Sequence, residues 1–195
     1  MEEDRYEIRF GGSGGQGIIM AALVLAEAAG VYEGKYVCQT QSYGPEARGG
    51  FSKAEVVISN KPIDYPKAMK PDLLLAMNQP SCDAYYLDLK LEGLLVVDST
   101  LVTQVPTNRV VALPFTEIAR KKVGKEFVAN MVALGAVGYL SKIVSIRSLI
   151  KALMAKVPKS TEKINRQALN AGFRAAQKVV LDALPPFTVP EEEAM

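Results

Sequence analysis

The sequence predicts an α/β three-layer sandwich: a mostly parallel central sheet, helices on both faces, and a helical C-terminal third. Three observations carry this expectation. The runs Leu73-Leu74-Leu75-Ala76, Leu94-Leu95-Val96-Val97 and Val110-Val111-Ala112-Leu113 are continuously apolar, as in strands covered on both sides. They alternate with stretches suited to helix, the order that builds an α/β sheet. Beyond Pro114 the apolar period becomes helical and stays so.

The elements follow in order. Tyr6-Glu7-Ile8-Arg9-Phe10 alternates and then meets a glycine cluster, a strand leading into a turn. Residues 18–29, rich in Ala, Leu and Met and stopped by Gly30, predict a helix. Tyr36-Val37-Cys38-Gln39-Thr40 is a second strand, residues 41–50 a glycine- and proline-containing loop, and residues 51–59 a third, alternating strand. Pro62, Pro66 and Pro71 punctuate the connection to the apolar strand of residues 72–77. A short helix is expected over 81–90, and buried strands over 93–98 and 110–113. Helices follow over 115–122, 126–140, 146–156 and 161–183. In the last, Lys163, Arg166, Gln167, Asn170, Arg174, Gln177 and Lys178 form one polar stripe, with Ile164, Ala168, Gly172, Ala175 and Val179 opposite. Ser145 and Ser160 are placed to cap the last two helices.

One domain over residues 1–195 accounts for the whole chain, with residues 1–5 and 185–195 as peripheral tails. The chain has 195 residues, 49% of them hydrophobic, enough to bury a core without staples. With 23 Lys+Arg against 21 Asp+Glu, it lacks the cationic surplus that displaces counterions from nucleic acid. There is no His, which excludes Ser–His and Cys–His nucleophiles and His-ligated metals on this chain. Cys38 and Cys82 are the only cysteines, while an iron–sulfur cluster or structural zinc needs about four ligands. Two unpatterned cysteines fit a reducing cytoplasm. Met1-Glu2-Glu3-Asp4 lacks the basic start of a signal peptide. The most apolar segment, residues 128–140, is interrupted by Asn130 and falls short of the roughly 20 residues a membrane span requires. The expectation is a cytoplasmic protein with neither a nucleic-acid nor a membrane partner.

Gly12-Ser13-Gly14-Gly15-Gln16-Gly17 matches G-x-G-x-x-G between a strand and a helix. There, backbone amides at a positive helix end can approach an anion with no Cβ in the way. A nicotinamide dinucleotide site would also place Asp or Glu at the end of the second strand. That strand ends Cys38-Gln39-Thr40-Gln41, which disfavours NAD. A Walker A loop needs Gly-Lys-Ser/Thr, whereas Ile18-Ile19-Met20 follow Gly17. Three uses of the glycines stay open: a tight turn with close helix–sheet packing, a phosphate-bearing ligand, or a partner's backbone.

The second loop, Gln41-Ser42-Tyr43-Gly44-Pro45-Glu46-Ala47-Arg48-Gly49-Gly50, leaves the carboxyl end of the second strand. Ligands of open α/β sheets sit at that edge, so both loops should meet there. Arg48 offers a planar donor fork and Tyr43 a ring with a polar tip. Glu46 either orients Arg48 or is a solvated charge.

These two loops, together with Gln39-Thr40 and Ile63-Asp64-Tyr65-Pro66, make the chain resemble the gamma subunit of 2-oxoacid:ferredoxin oxidoreductases over about residues 8–180. The second loop is most similar to the 2-oxoglutarate type. The resemblance implies a complex that converts a 2-oxoacid and coenzyme A to acyl-CoA and carbon dioxide while reducing ferredoxin. Thiamine diphosphate and iron–sulfur clusters would sit on alpha, beta and ferredoxin-like delta partners, and none on this chain. The gamma subunit would contribute to coenzyme A binding through Gly12, Ser13, Gly14, Gly15, Gln16, Gly17, Gln41, Tyr43 and Arg48, with no catalytic residue and no metal ligand of its own. A stand-alone nucleotide-cofactor enzyme and a pure scaffold are the competing readings.

Weaker signals have plainer readings. Arg120, Lys121, Lys122 and Lys125 read as a solvated helix end. Met20, Met69, Met77, Met131 and Met154 read as core gap-fillers, and Cys82 as a small buried residue. Asp72 and Asp98 flank buried strands, and Asp98-Ser99-Thr100 can start a turn. Ala129, Ala133, Gly135, Ala136 and Gly138 would let one helix approach another backbone, within the chain or across an interface.

Overall fold

The computed structural model describes residues 5–43 and 51–185, with residues 43 and 51 in backbone only. Six strands form one sheet: β1 (Arg5–Ser13), β2 (Tyr36–Tyr43), β3 (Phe51–Ser59), β4 (Leu73–Ala76), β5 (Leu94–Asp98) and β6 (Val110–Leu113), in the order β2-β3-β1-β4-β5-β6. β1, β4, β5 and β6 pair in parallel. β3 runs against both β1 and β2, so every strand but β3 points the same way.

The helices are α1 (Ile18–Glu27), extended by a π-helical turn Ala28–Tyr32, α2 (Gln79–Tyr85), α3 (Phe115–Ile118), extended by a π-helical turn Ala119–Val123, α4 (Ala129–Ser141), α5 (Ile146–Lys156) and α6 (Glu162–Ala176). The two faces of the sheet are covered unequally. Ile8, Phe10, Ala54, Val56, Ile58, Leu73, Leu75 and Val96 meet every helix but α2 in the main core. On the other face Leu74, Ala76, Leu95 and Val97 meet Cys82 and Val102 in a second, smaller cluster, with Tyr85, Tyr86, Leu89 and Val110 partly buried against it. α4 is buried almost all round and lies along α6, where a Cβ on Gly135 would stand 2.0 Å from the Leu169 carbonyl oxygen and one on Gly172 would stand 1.7 Å from that of Val132. The small-residue stripe thus serves a helix pair within the chain.

The thinly covered face holds charge instead of apolar side chains. Arg9 is 3% exposed; its Nε donates to Glu55 at 2.8 Å, and Nη1 pairs with Asp88. The guanidinium lies 5.2 Å from the Tyr85 ring centroid. Glu7 accepts from the amides of Met69 (2.7 Å) and Lys70 (3.0 Å), and Arg5 donates to the Tyr65 and Lys67 carbonyls. These bonds tie the proline-punctuated connection, including Ile63-Asp64-Tyr65-Pro66, to the sheet. Removing one partner of a buried pair such as Arg9–Glu55 costs about 3–5 kcal/mol, because the other charge is stranded.

Several expectations are corrected. β2 continues through Gln41 and Ser42 to Tyr43, because those residues find ladder partners in β3. The last helix ends at Ala176; past it the β-branched Val179 and Val180 leave helical geometry, and a 3-10 turn covers Leu181–Ala183. Ser145 caps α5, accepting from the Ser148 amide at 3.1 Å. Ser160, by contrast, sits inside a 3-10 turn, and the residue before α6 is Thr161 with no side-chain cap. Met20 and Met69 are exposed, 37% and 61%; Met77 and Met131 fill the core. No helix among the described residues is long and apolar enough to cross a membrane.

Candidate functional site

The glycine loop sits where β1 meets α1. β1 reaches the end of the sheet at Ser13, Gly14 and Gly15 form the turn, and Gly17 precedes α1 with φ 71°. Gly15 has φ 89°, a left-handed geometry that other residues adopt at a cost. α1 has no side-chain cap. Its first intrahelical bond runs from the Ala21 amide to the Gly17 carbonyl (3.1 Å), leaving the amides of Ile18, Ile19 and Met20 without intrahelical acceptors. The positive end of the helix dipole therefore lies just behind the turn.

The named residues divide into braces and an open surface. Gln16 is turned inward: Oε1 accepts from the Ser13 amide (2.6 Å) and Nε2 donates to the Met77 carbonyl (3.0 Å). Ser13 Oγ accepts from Asn78 (2.5 Å). Asn130 donates to the Gly17 carbonyl (3.0 Å), and a Cβ on Gly17 would stand 2.4 Å from its Nδ2. Gly12 is buried in β1, where a Cβ would meet Gln16 and Ile18 at 2.8 Å. Gly14 and Gly15 are exposed, and a Cβ at either meets nothing within 4 Å. Five of the six positions are therefore held by the fold through packing, bonding or backbone angle. Gly14 alone has no internal reason to lack a side chain.

The strands that flank the second loop end beside the first. Ser13 is opposite Phe51, and Gly12 opposite Ser52, which in turn faces Tyr43; Ser52 Oγ donates to the Gly12 carbonyl at 3.2 Å. Tyr43 and Phe51, the described residues on either side of residues 44–50, thus lie at the carboxyl edge where the glycine turn lies. Gln41 is exposed on β2, the strand at the sheet's edge. Tyr43 ends that strand. Glu46 and Arg48 lie outside the described residues. Because β3 intervenes, the end of β2 stands two strand spacings from β1, about 10 Å. That separation, together with the missing carboxylate, removes the standard dinucleotide arrangement.

Beside Gly15 lies a cleft of about 340 Å³ lined by Gln16, Met77, Leu101, Thr116, Glu126, Phe127 and Ala129. Leu101 and Phe127 stand 42% and 66% exposed at its rim. Glu126 is engaged by Arg120 at 2.8 Å. Asp98, fully buried, accepts from the Thr100 amide (3.0 Å) and from the amide and hydroxyl of Thr116; it shapes the cleft wall and has no spare role. Asp72 is likewise spent, accepting from the Glu7 amide and pairing with Lys90. Burial pushes the Cys82 thiol up to about 11, with Asp83 adding to the rise, so it is a packed thiol and no nucleophile. Among the described residues no cluster of three His, Cys, Asp or Glu could hold a metal.

Sequence reasoning missed Asn78, Asn130, Leu101 and Phe127. The first two had signals: Asn78 precedes Gln79-Pro80, a helix start, and it caps α2 through the Ser81 amide. Asn130 interrupts an otherwise apolar helix, where a buried amide must find a partner. Leu101 and Phe127 had none, since exposure of a single apolar residue is set by its neighbours in space.

Comparison with known proteins matches residues 7–175 to the family model described as pyruvate ferredoxin/flavodoxin oxidoreductase. The 2-oxoglutarate synthase subunit KorC of Methanocaldococcus jannaschii is 48% identical over 179 residues, covering 90% of this chain and 96% of that one. KorC of Methanothermobacter thermautotrophicus is 46% identical, covering 88% and 95%. Among solved structures, a keto/oxoacid ferredoxin oxidoreductase gamma subunit from Geobacter sulfurreducens superposes with a TM-score of 0.83 at 47% identity, covering 90% of this chain and 98% of that one.

Proposed function

The chain belongs to the pyruvate ferredoxin/flavodoxin oxidoreductase family as a gamma subunit of a 2-oxoacid:ferredoxin oxidoreductase complex, and from that premise we propose that it serves a 2-oxoglutarate synthase by holding coenzyme A at the glycine turn. The KorC relatives support the choice of 2-oxoglutarate. Gly14 carries the binding reading: it is exposed, unstrained and free of neighbours, so its missing side chain makes room for something outside the fold. The uncapped amides of α1 suit a phosphate. Arg48, between strands whose ends lie at the same edge, would add the cation that the described residues around the turn do not supply.

In this reading the chain's own work is positional. Gln16, Asn78 and Asn130 fix the turn, the turn and Arg48 hold the phosphates, and remote contacts orient the thiol toward the reacting carbon. Thiamine diphosphate and iron–sulfur clusters on alpha, beta and delta partners supply the decarboxylation and the electron path to ferredoxin. A chain with no His and two separated cysteines is suited to leave that chemistry to its partners, and to work in the cytoplasm.

Titrating the assembled complex with coenzyme A tests the reading. Gly14→Val or Arg48→Ala should weaken binding about tenfold or more, the worth of a lost charged hydrogen bond, with the complex intact. Unchanged affinity in an intact complex refutes it. A second reading, that the turn packs against a partner subunit, is favoured by exposed Leu101 and Phe127 beside the cleft. It predicts instead that Phe127→Ser releases the chain from the complex.

A further inference from the structure

A second depression, of about 860 Å³, lies between α6 and the α3 segment with its π-helical continuation. Its floor is apolar, with Leu113, Ile118, Ala175 and Val179 contributing. Its rim is cationic: Lys122, Arg174 and Lys178 are exposed, and among the described residues none of the three has an ion-pair partner. The acid on the rim, Glu117, is held by Lys121 at 2.6 Å. An apolar trough with unmatched positive charge suits an occupant that carries apolar side chains and several carboxylates within a short stretch.

The chain contains such a stretch. Pro186-Phe187-Thr188-Val189-Pro190-Glu191-Glu192-Glu193 follows directly on the last described residue, Pro185, whose carbonyl accepts from Arg109 Nη1 at 3.3 Å. That bond fixes the point of departure at the start of β6, and the other end of β6 is Leu113 in the trough. A strand of four residues spans about 13 Å, while ten extended residues reach about 33 Å, so the segment can cover the whole trough. Phe187 and Val189 are two apart and share one side of an extended chain. Proline disfavours helix and favours extended backbone in the residue before it.

We propose that residues 186–195 dock into this trough, with Phe187 and Val189 on the apolar floor and Glu191, Glu192 and Glu193 against Lys122, Arg174 and Lys178. Being tethered, the segment sees the trough at a high effective concentration, so contacts that are weak between separate molecules suffice to seat it.

The test uses the full chain, mixed as equal parts of unlabelled and isotope-labelled protein and treated with a water-soluble carbodiimide, which joins a carboxylate to an amine only where the two already touch. Mass spectrometry should find Glu191–Glu193 joined to Lys122 and Lys178 within one chain, with a yield falling about fivefold in 0.5 M salt. Links to distant lysines such as Lys53, on β3 four strands away from β6, in equal yield, links between labelled and unlabelled chains, or no links would overturn the proposal. A second readout needs no reagent. Reversing Glu191, Glu192 and Glu193 to Lys should speed amide exchange of residues 167–178 and 118–123 about threefold or more, and unchanged exchange there would equally overturn it.

Discussion

The glycines of the α4–α6 crossing and those of the turn before α1 are the same residue put to opposite uses. At Gly135 and Gly172 the absent Cβ is replaced by another helix's backbone, 2.0 and 1.7 Å from where the atom would be. At Gly14 and Gly15 it is replaced by nothing within 4 Å. The first pair closes the core; the second leaves a surface bare. A glycine needed for packing and one on an open surface therefore separate by what an added methyl would strike.

The sharpest way to break this comparison is Gly172→Ala. The methyl must drive α4 and α6 apart, and overpacking of a tight core costs about 3 kcal/mol or more at such a distance. Denaturant unfolding should show that loss, and near-normal stability would mean the backbones do not touch. Asn130→Ala comes next. It strips the Gly17 carbonyl of a buried partner, which should cost about 1–2 kcal/mol and loosen the turn without opening the helix pair. Gly15→Ala meets no atom but forces a side chain to φ 89°, worth about 1 kcal/mol. Gly14→Ala should shift stability by no more than about 0.5 kcal/mol and yet lower coenzyme A affinity in the assembled complex. The ranking by stability runs opposite to the ranking expected for ligand binding, and measuring both on one set of variants separates the two uses.

Much of the fold was legible because its signals are local. Leu73-Leu74-Leu75-Ala76 and Leu95-Val96-Val97 read as doubly covered strands, and all of these residues are buried. The stripe on α6 is legible for the same reason: its period is a property of the segment itself. Strand order was not legible. β3 enters between β1 and β2 because Ala54, Val56 and Ile58 fit beside Ile8 and Phe10 over one core, and no local pattern states which strands will be neighbours. In the site, the glycine turn between strand and helix could be read ahead. The inward turn of Gln16 could not, since its acceptor, the Met77 carbonyl, lies far along the chain, and the same holds for Asn130 and Gly17. The end of the last helix was missed because the polar stripe continues through Gln177, which caps the helix, and Lys178, in the turn beyond it.

The reversed direction of β3 has a mechanical consequence. Its nine residues pair one for one with β1, from Arg5↔Ser59 to Ser13↔Phe51, so a pull on Phe51 along the strand axis loads the whole ladder in shear rather than unzipping it from one end. Phe51 is thereby moored to β1, and a force felt there passes straight into the strand that ends at the glycine turn.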